Sequence, residues 1–447
     1  MAPDASLERH LGARHAGALC VGMVIGAGIF KTSPLAAQAL GDPTELLLAW
    51  ALGGVLSLVG GLCFAELAAA FPDTGGDYHF LRRAYGHRLG LLFAWSRFAV
   101  IHTGSMALLG FVFGDYLAQV VDLSPWLGPH ASALMAAVLI VALTGLNLLG
   151  VRVGLGTQLA LSAAVLLGLV LLGLGAGAQV LAGQPPATPP PAVPGSDWGL
   201  ALVFIFLAYG GWSDAATLSA EMRDPERGIR RALLLGLGLV MALYLLANWA
   251  YLRVLGVAGL AASEAPAAAL MRIAFGPAAE MLMVGVVTLT ALSVMNALLI
   301  AGPRTTYAAA RDLASEWHLA RWNHARGTPT GAVLATSGVA LALVAFGDLT
   351  RGGFSTMVDY LSPVYWFFMT LSALALIVLR RREPDRPRPV RVPLYPWLPL
   401  LFAASSAYVL WSSVVYVKAG AVVGVLVLAV GAALLWGHGR WRQQTMR

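Results

Sequence analysis

The chain has 447 residues, of which 58% are hydrophobic and only 11% charged, and its mean hydropathy is +0.75. A soluble domain carries about 25% charged residues, so these values exclude a water-soluble domain and indicate a polytopic membrane protein. The net charge of +7 would suggest a nucleic-acid partner in a soluble chain, but the placement of the basic residues gives it another meaning.

At about 20 residues per span, the length accommodates about twelve helices with short loops. Segment one, about Ala16 to Leu40, contains Gly26-Ala27-Gly28 and then Lys31 and Pro34. Arg9 and Arg14 ahead of that apolar run, with Ala37-Gln38-Ala39 after it, imitate a signal peptide. Lys31 and Pro34 interrupt the pattern, and no cleavage is expected. Segment two, about Leu46 to Phe71, carries Cys63 and Glu66 and stops at the turn-forming Pro72-Asp73-Thr74-Gly75-Gly76. An amphipathic connection with Arg82, Arg83 and Arg88 leads to segment three, from near Leu89 to about Val121. Segment four is about Ala131 to Leu149 and segment five about Val153 to Ala182. Six prolines between Pro185 and Pro194 then mark an extended surface connection.

Segment six, about Trp198 to Met222, is interrupted at Tyr209-Gly210-Gly211. Segments seven to ten follow at about Ala232 to Leu255, Ala278 to Ala310, Gly331 to Phe346 and Phe354 to Leu379. A basic loop from Arg380 to Arg391 precedes segments eleven (about Trp397 to Val417) and twelve (about Ala419 to Trp436). With the N-terminus inside, all but six of the 29 basic residues fall in stretches on the cytoplasmic side. The six are Lys31, Arg97, Arg253, Arg272, Arg351 and Lys418. An even number of spans with both termini cytoplasmic fits this asymmetry. The basic charge is therefore an orientation signal, and no nucleic acid is needed to explain it.

Two segments are broken by glycine. Each glycine lowers helix propensity by roughly 1 kcal/mol relative to alanine, and a spanning helix has no lipid partners for freed backbone groups. The breaks in segments one and six lie about 180 residues apart, at the head of two five-segment halves that enter the membrane from opposite sides. Paired breaks of this kind point to a transporter's binding site. An unwound turn offers N–H groups at the start of one half-helix, which suit a carboxylate, and carbonyls at the end of the other, which suit an ammonium. Together they would hold a zwitterion without a costly buried charge. The alternative is that both clusters are close-packing sites for small residues.

At these residues the chain resembles the amino acid–polyamine–organocation superfamily, especially the branch near the L-amino acid transporters. Val24-Ile25-Gly26-Ala27-Gly28-Ile29-Phe30 matches that family's first-helix motif. Phe206 to Trp212 with Glu221 to Arg227 is similar to its sixth helix and following loop. Ala65-Glu66-Leu67 with Phe71 to Gly76, Pro303 to Asp312, Val358-Asp359-Tyr360, and Arg380 to Pro396 extend the likeness over nearly the whole chain. The resemblance implies an all-α, LeuT-type fold of twelve transmembrane helices with a 5+5 inverted repeat and two additional C-terminal helices. The transporter domain then covers 16–436, with repeat one at about 16–182, repeat two at about 197–380 and the extra helices at about 394–436. Residues 1–15 and 437–447 become cytoplasmic tails.

The resemblance also implies the site. The substrate carboxylate meets backbone amides of Gly26, Ala27 and Gly28, and its amino group meets carbonyls near Ile25, Phe206, Ala208, Tyr209 and Gly210. Aromatic side chains at the second break, Phe206, Tyr209 and Trp212, are gating candidates. Many relatives carry a lysine in the fifth helix where this chain places Val165, which leaves the coupling mechanism open.

Ser105, Ser293 and Asn296 are either pocket-lining groups or interhelical packing residues. Glu66 is either a gate or proton-linked carboxylate, or one paired with a loop arginine. Arg97 is expected to find a partner or snorkel toward the cytoplasmic end, and His102 either titrates or is a hydrogen-bonded core histidine. There is no GxSxG, HExxH or Walker loop, no CxxC and no Cys/His cluster with metal spacing. The chain is thus expected to be no enzyme and to need no cofactor, metal or obligate protein partner, with the bilayer and a small amino acid as its contacts. The reading is a secondary transporter of a small neutral amino acid in the cell membrane, coupled to protons or to amino acid exchange. The alternatives are a transport-inactive amino acid sensor, and a polyamine or amine carrier for which Asp214 is the one acidic group near the breaks.

Overall fold

The computed structural model describes residues 26, 28–72, 76–121, 123–148, 155–185, 197–213, 225–312, 318–323, 328–415 and 419–445. Among these the chain is all-helical, with one isolated bridge between Asn323 and Thr328 as its single β pairing. The helices are α1 (Ile29–Leu40), α2 (Pro43–Ala70), α3 (Asp77–Tyr85), α4 (His87–Ser96), α5 (Thr103–Leu117), α6 (Ala131–Leu148), α7 (Leu155–Leu181) and α8 (Trp198–Ala208). They continue with α9 (Pro225–Val254), α10 (Gly256–Ala262), α11 (Pro266–Phe275), α12 (Pro277–Asp312), α13 (Thr330–Leu349), α14 (Phe354–Arg382), α15 (Trp397–Val415) and α16 (Ala419–Thr445). Among the described residues nine stretches are long and apolar enough to cross a membrane. Shorter apolar helices occur at Trp198–Ala208, Pro266–Phe275 and Ala421–Leu434.

The described chain divides into two compact units, each drawn from both sequence halves. The first comprises residues up to Gly86, Ser162–Ala262 and Phe367–Val409; the second comprises His87–Leu161, Ser263–Trp366 and Leu410 onward.

In the first unit α2 is the central element. Asp42 caps it by accepting from the N–H groups of Thr44 and Glu45 at 2.8 and 2.9 Å, and Pro43 occupies the first helical position, where no N–H is needed. Its 28 residues extend about 42 Å. Helices pack tightly in membranes where small residues let backbones approach, and α2 supplies them. A Cβ on Gly53 would stand 2.6 Å from Ile205, one on Gly60 2.6 Å from Phe402 and 2.7 Å from Trp212, and one on Gly61 2.8 Å from Leu237. Thus α8, α9 and α15 all lie against glycine faces of α2.

Two half-length helices lie beside it. α1 ends at Gly41, whose φ of 68° is the left-handed conformation that glycine adopts without strain. The N–H of Asp197, at the head of α8, donates to Ala39 O at 2.9 Å, while the start of α1 faces the end of α8. The two are therefore antiparallel.

In the second unit α4 passes into α5 through a π-helical turn, Arg97–His102. Arg97 Nε donates to His102 Nε2 at 3.0 Å, so Arg97 has a partner and His102 is hydrogen-bonded, with Nε2 as acceptor. The bundle is then tied by interhelical polar pairs: Asn147 Nδ2 donates to Asn296 Oδ1 at 2.9 Å, and Thr144 and Ser337 share a hydroxyl bond of 2.7 Å. Tyr360 donates to Ala99 O at 2.7 Å, and Trp95 to Val427 O at 3.0 Å.

Candidate functional site

The two glycine breaks meet inside the first unit. α1 begins at Ile29, and the N–H groups of Lys31 and Thr32 both turn back to Gly28 O at 2.9 Å. Gly28 is the N-cap and no side chain caps the helix, so its first turn presents backbone donors at the break. α8 ends at Ala208 and is followed by a turn in which Gly211 has a φ of 89°, a conformation disfavoured for any residue with a Cβ. A Cβ on Gly28 would lie 3.9 Å from the Cα of Ala208. The positive end of one half-helix thus stands beside the negative end of the other.

The carbonyls at the end of α8 are oriented by named donors. Tyr209 N–H donates to Ile205 O at 3.1 Å and Gly210 N–H to Leu207 O at 3.1 Å. The Tyr244 hydroxyl donates to Ala208 O at 3.2 Å. A carbonyl has two lone pairs, so Ala208 O keeps capacity for a second donor. Tyr209 is fully buried, and its hydroxyl donates to Trp50 O at 3.1 Å. Trp50, Tyr209 and Tyr244 form a cluster with ring centroids 5.1 to 5.7 Å apart, which locks the turn against α2 and α9. Trp212 is wedged edge-on to Phe64 at 5.0 Å and against Phe402 at 5.8 Å.

Of the residues singled out in the sequence, Gly26, Gly28, Phe206, Ala208, Tyr209, Gly210 and Trp212 are therefore brought together in one unit, with Phe206 buried on the last turn of α8. Ile25, Ala27 and Asp214 lie outside the described residues. Ser105, Ser293 and Asn296 belong to the second unit. There Asn296 accepts from Asn147, Ser293 is buried and Ser105 is half-buried on α5. Val165 is buried in α7.

Glu66 has the most elaborate surroundings. Its carboxylate is fully buried, and Arg380 grips it with Nε at 2.7 Å and Nη2 at 2.5 Å. The N–H of Val392 donates to it at 2.7 Å, and Arg388 Nη1 stands 3.6 Å away. Around it, Arg83 forks Glu383 at 2.6 and 2.7 Å, and Arg386 donates to Ala70 O at 3.1 Å. The guanidiniums of Arg83, Arg386 and Arg388 lie 4.8 to 5.9 Å from the Phe71 ring. The Arg83 fork holds the Glu383 carboxyl below its usual range, and burial lowers Arg388. Of the two readings of Glu66, this is the geometry of the arginine-paired carboxylate, with Arg380 coming from the last turn of α14 and Arg388 from the loop after it. Among the described residues no group of His, Cys, Asp and Glu is placed to hold a metal ion.

Tyr244 and Trp50 were not singled out in the sequence. One signal was available for Tyr244: a buried tyrosine inside an apolar run usually brings its hydroxyl to a partner.

Comparison with known proteins follows the same line. The model of the amino acid permease family matches residues 11–436. The large neutral amino acids transporter small subunit 2 of Rattus norvegicus is 30% identical over 447 residues, covering 97% of this chain and 82% of that one. The serine/threonine exchanger SteT of Bacillus subtilis (strain 168) is 28% identical, covering 97% and 98%. The b(0,+)-type amino acid transporter 1 of Homo sapiens is 28% identical, covering 92% and 83%. With helices fit to span a bilayer, two helix breaks face to face and a family match over nearly its whole length, the chain is an integral membrane protein of the amino acid permease family.

Proposed function

We propose that the protein moves a small neutral amino acid across the membrane by alternating access, and that it does so by exchange for another amino acid. The observation that carries this reading is the approach of Gly28 to Ala208, 3.9 Å from a Cβ position to a backbone carbon. An uncapped helix start beside a helix end makes a receptor for carboxylate and ammonium together. Gly26, Ala27 and Gly28 supply the donors in this proposal. Ile25, Phe206, Ala208, Tyr209 and Gly210 supply acceptors. Exchange is favoured over proton coupling for two reasons. Val165 offers no titratable group, and Glu66 is already committed to Arg380. The name of the SteT relative, a serine/threonine exchanger, agrees with that choice. Twelve spans, a 5+5 inverted repeat and cytoplasmic termini complete the proposed architecture.

The test is uptake of labelled serine, alanine or leucine into liposomes holding the purified protein, with and without internal amino acid and with and without a proton gradient. Uptake stimulated by internal amino acid and indifferent to the gradient is expected. Uptake that follows the gradient alone would replace exchange by proton coupling, and binding without uptake would favour the sensor reading.

A further inference from the structure

The last turn of α14 and the connection to α15 carry a cationic surface that the transport site does not use. From 380 to 391 six arginines face two carboxylates, Glu383 and Asp385. Most are committed inside the first unit. Arg380 and Arg388 converge on Glu66, Arg382 donates to Ala84 O at 2.7 Å, Arg386 donates to Ala70 O, and Glu383 is held by Arg83. Arg381 and Arg391 are different: both are exposed, and among the described residues neither has a protein partner. Asp385, also exposed, pairs with neither.

Two features fix where these cations stand. First, Glu66 holds Arg380 by its side chain and Val392 by its N–H, so Arg381 and Arg391 both emerge from chain anchored on one buried carboxylate. Second, 14 residues join the end of α14 at Arg382 to the start of α15 at Trp397, and both helices are long and apolar enough to cross a membrane. Trp397 and Leu394 are each 72% exposed, and the Trp397 N–H closes the turn onto Leu394 O at 2.7 Å. A tryptophan at the first residue of a span sits at headgroup level. The two exposed arginines therefore flank a connection that ends in an exposed leucine and an exposed headgroup-level tryptophan.

We propose that Arg381 and Arg391, with Trp397 and Leu394, bind the headgroup of an anionic phospholipid, and that the Glu66 cluster is the rigid base of that site. Guanidinium matches phosphate in a bidentate fork, basic residues next to a span attract anionic lipid, and the apolar pair receives the glycerol and upper acyl carbons.

Native mass spectrometry of the detergent-purified protein, given equimolar phosphatidylglycerol and phosphatidylcholine, tests this independently of transport. The wild type is expected to retain phosphatidylglycerol about tenfold over phosphatidylcholine, and R381Q/R391Q to lose that preference. R351Q, a charge removed from an exposed site elsewhere, is expected to keep it. Millimolar inorganic phosphate is expected not to displace the lipid. Equal retention of the two lipids by the wild type, an unchanged preference in R381Q/R391Q, or displacement by phosphate would each overturn the proposal.

Discussion

The Tyr244 hydroxyl donates to the carbonyl of Ala208, the last residue of α8. That bond aims the group proposed to receive a substrate ammonium. Tyr244→Phe removes the donor while keeping the ring in the Trp50–Tyr209 cluster. Losing one buried hydrogen bond costs about 1 kcal/mol of stability, so a small fall in melting temperature is expected, together with a rise in the half-saturation of uptake as the Ala208 carbonyl loses its orientation. Unchanged saturation in a folded variant would remove Tyr244 from any positioning role.

Gly28 gives a steric test. A Cβ there meets Ala208 at an ordinary van der Waals distance, so Gly28→Ala should fold and transport with reduced affinity. Gly28→Val adds two methyl groups at the break and is expected to abolish uptake while gel filtration still reports folded protein. Persistent transport by the valine variant would move the substrate elsewhere.

Glu66→Gln separates its two readings. Breaking a buried ion pair costs about 3–5 kcal/mol, and Arg380 and Arg388 would then face a neutral amide. A marked fall in melting temperature is expected, at every pH. A stable variant whose uptake merely loses its pH dependence would restore the proton-linked reading.

The Arg83–Glu383 fork predicts a small acid response. Glu383 is held below the usual carboxylate range by Arg83, so the fork stabilises the fold above the unfolded value of about 4.3. That contribution is lost as pH falls through the lower folded value. Because both side chains are partly exposed, solvent screens the pair and the effect is modest. Melting curves from pH 6 down to pH 3 should show a shallower decline for Glu383→Gln than for the wild type.

What the sequence made legible was governed by local chemistry. Apolar runs placed the described spans to within a few residues, except that segment seven begins at Pro225 and the last helix runs to Thr445. The breaks were visible because paired glycines interrupt two apolar runs at the head of each half, and Gly211 adopts a positive φ, although Gly53-Gly54 and Gly60-Gly61 stay inside the unbroken α2. What remained hidden depends on residues distant in sequence. Glu66 finds Arg380 across 314 positions, and Asn296 finds Asn147 across 149. The π-helical turn at Arg97–His102 leaves no mark in an apolar pattern. The short helices α10 and α11 were also missed, because neither is long enough to show a periodic stripe. The two compact units interleave the halves that chain order suggests, since compactness follows packing and not sequence order.

The shortness of α1 has an electrical consequence. Its 12 residues extend about 18 Å, a little over half of a 30 Å hydrocarbon core. A unit charge carried to that depth works against about half of the membrane voltage, on the order of 1 kcal/mol per 100 mV. A zwitterion held at Gly28, as proposed, would carry no net charge through that field. One-for-one exchange of neutral amino acids would then generate no current, so a voltage clamp distinguishes it from any cycle in which a proton rides along.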